Sequence, residues 1–201
     1  MGSKSEKLLL ALFKNKCIEL GSFKLKSGII SPIYIDLRKL VSYPSLMRKC
    51  AAAYWTLIKK LSFDRLAAVP YAALPIASVI SVIYQQPLVY TRKEAQGYGV
   101  SKLVQGEYKK GEQVVVIDDI ITTGESKLMV IKPLVASGLK VKDVVILIDR
   151  EQGGAEKLAA KGYQVHAVFY LTKVLEILWK KGKISFKKYQ EVLEFLKKTR
   201  V

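Results

Sequence analysis

Five short apolar runs, rich in β-branched residues and set apart by helical stretches or a long connection, constrain this chain more than any other feature. They are Leu66–Val69, Leu88–Tyr90, Val114–Ile117, Val144–Ile148 and Val165–Phe169. None alternates polar with apolar, so each predicts a strand buried on both faces. Such strands belong to a parallel sheet covered by helices on either side. Helix candidates lie between them at Leu74–Tyr84, Ser126–Ser137 and Ala155–Lys161, and Gly138 and Gly162 stand just past two of these, where a left-handed C-cap is wanted. Pro44 opens another helix with the stripe Leu46, Met47, Cys50, Tyr54, Leu57, Ile58 and Leu61. Helices over Thr172–Lys181 and Ser185–Lys198 follow the last run. Near the N-terminus, residues 3–20 read as a helix ended by Gly21. Phe23–Lys26 and Ile33–Leu37 then have strand character about a Ser27-Gly28 turn. Arg92–Gly111 is the one long connection without periodicity, and a loop of that length in a compact domain is usually functional or disordered.

The chain has 201 residues, 34 of them Lys or Arg against 17 Asp or Glu, for a net charge of +17. Half of it is hydrophobic, which excludes a disordered chain, and one domain with a sizeable core is expected over residues 1–201. The charge invites a nucleic-acid reading. Its make-up argues against one: 28 of the basic residues are lysine, a solvated point charge, and only 6 are arginine. More than half of the excess sits in residues 1–26 and 173–201, as solvated faces of terminal helices would have it. No apolar run approaches the roughly 18 residues of a membrane span. The first residues are too polar for a secretory signal, and Cys17 and Cys50 read as two buried thiols of a cytoplasmic protein.

The chemistry concentrates in Val114-Val115-Val116-Ile117-Asp118-Asp119-Ile120-Ile121-Thr122-Thr123-Gly124-Glu125-Ser126. A buried strand runs into two carboxylates, then into a Thr-Thr-Gly turn that opens a helix. The N–H groups of that turn and of the helix start converge on one spot suited to a phosphate monoester. Hydroxyls of Thr122, Thr123 and Ser126 add donors, and Gly124 lets the backbone approach closely. The two aspartates can accept from vicinal hydroxyls or hold a hydrated Mg²⁺. The C-terminal edge of a parallel sheet is where ligands bind. There is no Gly-x-x-x-x-Gly-Lys-Ser/Thr, and Gly97-Tyr98-Gly99 has Lys102 where a third glycine of a dinucleotide fingerprint would stand.

The Asp-Asp-Ile-Ile-Thr-Thr-Gly segment resembles the phosphoribosyl pyrophosphate (PRPP) signature of type I phosphoribosyltransferases. Phe23–Gly28, Ser31–Asp36, Val69–Pro75, Thr91–Glu94 and Leu147–Gly154 narrow the likeness to orotate phosphoribosyltransferase, in the form fused within UMP synthases. The resemblance implies an α/β fold: a central parallel sheet of about five strands flanked by helices. A small hood from residues 20–40, a core over 60–170 and C-terminal helices over 171–200 complete it. It also implies a homodimer in which loop 92–110 completes the neighbour's site, a Mg²⁺ cofactor, and an OMP decarboxylase as fused or associated partner. No nucleic-acid or membrane partner is expected.

By the same resemblance, Lys26, Tyr71, Arg92, Lys93, Asp118, Asp119 and the 120–126 turn (Ile120, Ile121, Thr122, Thr123, Gly124, Glu125, Ser126) would bind PRPP. Arg92, Lys93, Asp118 and Asp119 would be the catalytic set, and Mg²⁺ would be held by pyrophosphate, water and Asp118 or Asp119. Lys26, Tyr34, Ile35, Thr122 and Arg150 would bind orotate. Gln96, Tyr98 and Lys102 are possible loop contacts: Gln96 replaces a lysine usual in the family, Tyr98 a histidine of many bacterial relatives, and Ala72 another bacterial lysine. Glu125 would complement the helix N-terminus, and the lone histidine, His166, reads as structural. The alternatives are an enzyme acting on a purine or uracil, a PRPP-sensing regulator, and a nucleic-acid-binding module.

Overall fold

The computed structural model describes residues 3–24, 28–92 and 103–200. In chain order the elements are α1 (Ser3–Lys14), β1 (Ile18–Lys24), β2 (Ile30–Ile35), a 3₁₀ turn (Leu37–Ser42), α2 (Pro44–Ile58), β3 (Arg65–Ala68), α3 (Ala73–Tyr84), β4 (Leu88–Thr91) and β5 (Val104–Gln105). Then come β6 (Gln113–Ile121), α4 (Glu125–Ala136), β7 (Lys140–Asp149), α5 (Gly154–Ala159), β8 (Gln164–Tyr170), α6 (Leu171–Lys180) and α7 (Phe186–Lys198).

All five apolar runs are strands of one six-stranded sheet in the order β5-β4-β3-β6-β7-β8. β4, β3, β6, β7 and β8 pair in parallel, and β5 adds an antiparallel edge beside β4. Burial follows the pleat, with period two. Val115 and Ile117 face the layer containing α1, α2 and α6; Val114 and Val116 face the one containing α4 and α5. Each such Val or Ile is fully buried, a gain of about 1.5–3 kcal/mol per side chain over leaving it in water. Gly138 and Gly162 do terminate α4 and α5 with φ of +85° and +86°.

Three expectations change. The first helix stops at Lys14, not at Gly21. Lys16 takes a left-handed φ of 54° and Cys17 N–H closes the last turn on Leu12 O at 2.9 Å, so Ile18–Lys24 is free to be a strand. Gly21 lies inside that strand, where the β1–β2 register slips between Leu20 and Phe23. The antiparallel pair β1–β2 forms the small second sheet, with Phe23 stacked on Tyr34 at 5.4 Å. Finally, the connection after β4 is not structureless throughout. Thr91 pairs with Val104, and Arg92 N–H donates to Leu103 O at 3.0 Å. Arg92 and Leu103 therefore stand side by side.

Cys17 and Cys50 are buried free thiols. His166 lies 2.7 Å from the buried Asp143 carboxylate on the neighbouring strand, a structural pairing. Among the described residues no helix is long and apolar enough to cross a membrane.

Candidate active site

β6 is a nine-residue parallel strand that ends at the helix-opening edge, and its last residues are Asp118–Ile121. The turn at Thr122 and Thr123 leads to Gly124, whose φ of +80° sets the start of α4. No side chain caps α4, which leaves its N-terminal N–H groups for an anion. Thr122 is half-buried, Thr123 and Ser126 are exposed, and Ile120 and Ile121 pack into the layers on opposite sides of the sheet. Glu125, in the first turn, pairs with Lys157 of α5, which holds its carboxyl below the usual range.

The next strand braces this turn. Ile121 pairs with Asp149 in register, and Arg150 N–H donates to Ile121 O at 3.1 Å. A Cβ on Gly154 would lie 2.5 Å from Thr122 O, 2.8 Å from Ile121 Cγ1 and 2.9 Å from Gly124 N. No side chain fits there, so the Gly153-Gly154 pair is what allows β7–α5 to close against the anion turn. Sequence reasoning had noted this pair without a role for it.

The two aspartates differ. Alternation along β6 starts Asp118 toward the α4 layer and Asp119 toward the α2 layer. Asp118 is 4% exposed, and its Oδ2 lies 2.6 Å from Nζ of Lys127, a residue that sequence reasoning missed. Oδ1 of Asp118 accepts from Asp119 N–H at 2.9 Å, and its backbone carbonyl accepts from the buried Tyr54 hydroxyl at 2.7 Å. Lys127 also donates to Ile120 O and, at 3.2 Å, to Ser126 Oγ. Burial, with the Asp118 carboxylate alongside, pushes the Asp119 carboxyl up to about 7. The Asp149 carboxyl is raised as well, by burial, and accepts Glu151 N–H at 2.7 Å.

Arg150 stands next to this cluster. Burial pulls its guanidinium down from the usual arginine range, and its Nε–H is buried without a hydrogen-bond partner. Tyr71 follows β3 through a cis Pro70–Tyr71 peptide bond and is two-thirds exposed. Arg92 is exposed at the end of β4. Tyr34 lies on β2, its hydroxyl accepting from Arg38 at 3.1 Å, whereas Ile35 packs against the core from the opposite face of the same strand. Lys26, Lys93, Gln96, Tyr98 and Lys102 lie outside the described residues.

A phosphate cradle at the carboxyl edge of a parallel sheet, with aspartates beneath it and a small antiparallel hood, defines a class of protein. A family model described as "Phosphoribosyl transferase domain" matches residues 38–169. The chain is 36% identical over 184 residues to orotate phosphoribosyltransferase of Pyrobaculum aerophilum, covering 91% of this chain and 94% of that one. It is 39% identical over 178 residues to the bifunctional enzyme PyrF/PyrE of Nostoc, covering 89% of this chain and 37% of that one. The solved UMP synthase of Leishmania donovani superposes with a TM-score of 0.89 at 44% identity, covering 98% of this chain and 43% of that one. The chain belongs to the phosphoribosyltransferase family, in the branch of the orotate phosphoribosyltransferases. It spans about two-fifths of the length of the bifunctional relatives it matches.

Proposed function

We propose that the chain transfers the phosphoribosyl group of PRPP to orotate, giving orotidine 5′-monophosphate and pyrophosphate for pyrimidine synthesis. The observation that carries this reading is the uncapped α4 turn at Thr122–Ser126, locked by Gly154 at the end of β6. Its N–H groups and hydroxyls bind the 5′-phosphate, and Asp119 accepts from the ribose hydroxyls. Arg150 offers a buried, unpartnered Nε–H to an acceptor-rich anionic ring, with Thr122 beside it. Tyr34 borders the base from the hood, and Tyr71 and Arg92, at the ends of β3 and β4, serve the diphosphate. In the reaction the anomeric carbon–oxygen bond to pyrophosphate breaks and a bond to the ring nitrogen forms. Fixed cations and N–H groups stabilise the charge that collects on the leaving group. Orotate enters as an anion, so no strong enzymic base is required.

The acidic residues suit Mg²⁺ only in part. Among the described residues no group of three or more His, Cys, Asp or Glu could cage a metal. Of the β6 pair, Asp119 is the carboxylate without an ammonium on it, which fits an ion keeping its waters and most of its ligands from substrate phosphates. When bound, the ion neutralises the leaving diphosphate.

The proposal extends to a cytoplasmic homodimer and to a decarboxylase as fused or associated partner. In support of self-association, the exposed apolar residues Val41, Val82 and Ile83 line one open groove between the 3₁₀ turn and α3. In support of fusion, the Nostoc and Leishmania relatives are more than twice as long. The deciding experiment incubates the purified chain with PRPP, Mg²⁺ and one free base at a time. Pyrophosphate release with orotate, and not with uracil or purines, is expected. Release with a purine but none with orotate overturns the reading.

A further inference from the structure

We propose that Lys127 is a positioning residue: it removes the Asp118 charge from a cradle built for a polyanion and turns the Ser126 hydroxyl toward the phosphate. The inference rests on the phosphoribosyl transfer proposed above and assigns the two aspartates different roles.

Lys127 is the only buried lysine among the described residues, 3% exposed where the other described lysines are solvated or half-solvated. It belongs to the α4 face that also carries Val130, Ile131 and Leu134, the face turned to the sheet. An ammonium persists in such a place only when its partners replace water. Three do: Asp118 Oδ2 at 2.6 Å, Ile120 O, and Ser126 Oγ at 3.2 Å. Two come from the end of β6 and one from the first turn of α4, so one side chain ties the strand to the helix across the cradle turn.

Two consequences follow. The strand ends gather three carboxyl groups, Asp118, Asp119 and Asp149, where a substrate carrying several negative charges must bind. Asp149 is engaged by Glu151 N–H, and Asp118 is matched by Lys127, which leaves Asp119 to meet the ribose. Lysine can only donate, so its bond to Ser126 uses an oxygen lone pair and leaves the Ser126 hydrogen for an acceptor outside, the phosphate.

Calorimetric titration of PRPP into the full chain, with orotate kinetics alongside, tests this on wild type, Lys127→Met, Asp118→Asn and the double variant. Lys127→Met should bind PRPP about 100-fold more weakly, because it strands the Asp118 charge, with KM for orotate within about twofold. Asp118→Asn alone, which leaves no buried carboxylate without its ammonium, should lose less PRPP affinity than Lys127→Met. The double variant should recover to within about fivefold of wild type, since neutrality is restored. A double variant no better than Lys127→Met, or Asp118→Asn as weak as Lys127→Met, overturns the assignment. If Lys127→Met does not fold, the double variant decides: PRPP binding within about fivefold of wild type supports the assignment, and a larger loss overturns it. Wild type that binds PRPP yet turns over no orotate sinks the proposed reaction and leaves these titrations decisive for Lys127; wild type without PRPP affinity overturns both.

Discussion

The β6–α4 and β7–α5 units are neighbours built to one plan with different outcomes. Each strand ends in a buried aspartate region, and each helix opens behind a left-handed glycine, Gly124 at +80° and Gly153 at +96°, with no side-chain cap. In the first unit the uncapped turn faces outward and ends in a 12-residue helix; in the second a 6-residue helix starts with a glycine pressed against the first unit's backbone. In the proposed function one turn is the receptor and the other its buttress. The difference comes from what sits one residue past the left-handed glycine: Glu125, whose side chain leaves the cradle, against Gly154, which has none.

The largest effect should come from merging the two. Gly154→Ala places a methyl at 2.5 Å from Thr122 O and 2.9 Å from Gly124 N, both backbone atoms that cannot rotate away. The turn must shift or the helix must leave, at a cost of about 2–4 kcal/mol in stability, read by urea unfolding. PRPP affinity should fall about 100-fold with it, since a displacement of even 1 Å disarms a preorganised site. Unaltered PRPP binding by Gly154→Ala would show that the buttress is dispensable.

A second difference lies in the acids. Both strand ends raise a carboxyl by burial, but Asp119 rises to about 7 because Asp118 lies alongside as well. The unfolded chain loses that proton near pH 3.8, so between about pH 4 and pH 7 the folded protein holds a proton that the unfolded chain has released. Stability from this group is therefore present below the unfolded value and lost as pH rises toward 7. Asp119→Asn cannot titrate. The difference in unfolding free energy between wild type and Asp119→Asn should drift against wild type by on the order of 3 kcal/mol from pH 4 to pH 7, then level off. Thermal melts of the ligand-free proteins across that range measure it, and a flat difference would place Asp119 in water-like surroundings.

Arg150 sharpens the same contrast from the buttress side, since it is the one part of β7–α5 given a ligand-facing role. Arg150→Gln should raise KM for orotate about 30-fold, the loss of a charge-assisted contact, while KM for PRPP stays within about twofold. Equal losses for both substrates would mean that the residue holds the turn and does not read the base.

How much of this the sequence revealed depends on how far each contact reaches. The five runs at β3, β4, β6, β7 and β8 are continuous and apolar, and each is a strand, because burial on both faces leaves a local mark. β5 spans two residues and leaves none. The end of α1 was misplaced because Lys16 adopts the left-handed cap with nothing in its type to advertise it, while Gly21, which does advertise one, serves a strand irregularity. The anion turn was legible as Asp-Asp-Ile-Ile-Thr-Thr-Gly. Its supports were not. The Tyr54 hydroxyl finds Asp118 O across 64 residues, and Gly154 meets Thr122 only through the register of β6 and β7. Lys127 could have been found: a lysine three, four and seven residues before Val130, Ile131 and Leu134 stands on a buried stripe and calls for a carboxylate.

The smallest effects should come from the far ends of the two helices, where the units are again alike and the site is not involved. Gly138 closes α4 at φ +85° and Gly162 closes α5 at +86°. A Cβ on Gly162 meets nothing within 4 Å, so Gly162→Ala isolates the backbone term, about 1 kcal/mol for placing an L side chain in the left-handed region. A Cβ on Gly138 would stand 2.9 Å from Lys110 Cγ, part of a flexible chain that can swing aside, so Gly138→Ala should cost the same amount plus a few tenths of a kcal/mol. Neither should move KM for PRPP or orotate, because the cap strain is absorbed a helix length away from the turn. Denaturant midpoints and steady-state kinetics on both variants check this. A shift in KM from Gly162→Ala would mean that α5 transmits strain along its length, and that the buttress acts as a lever and not as a fixed wall.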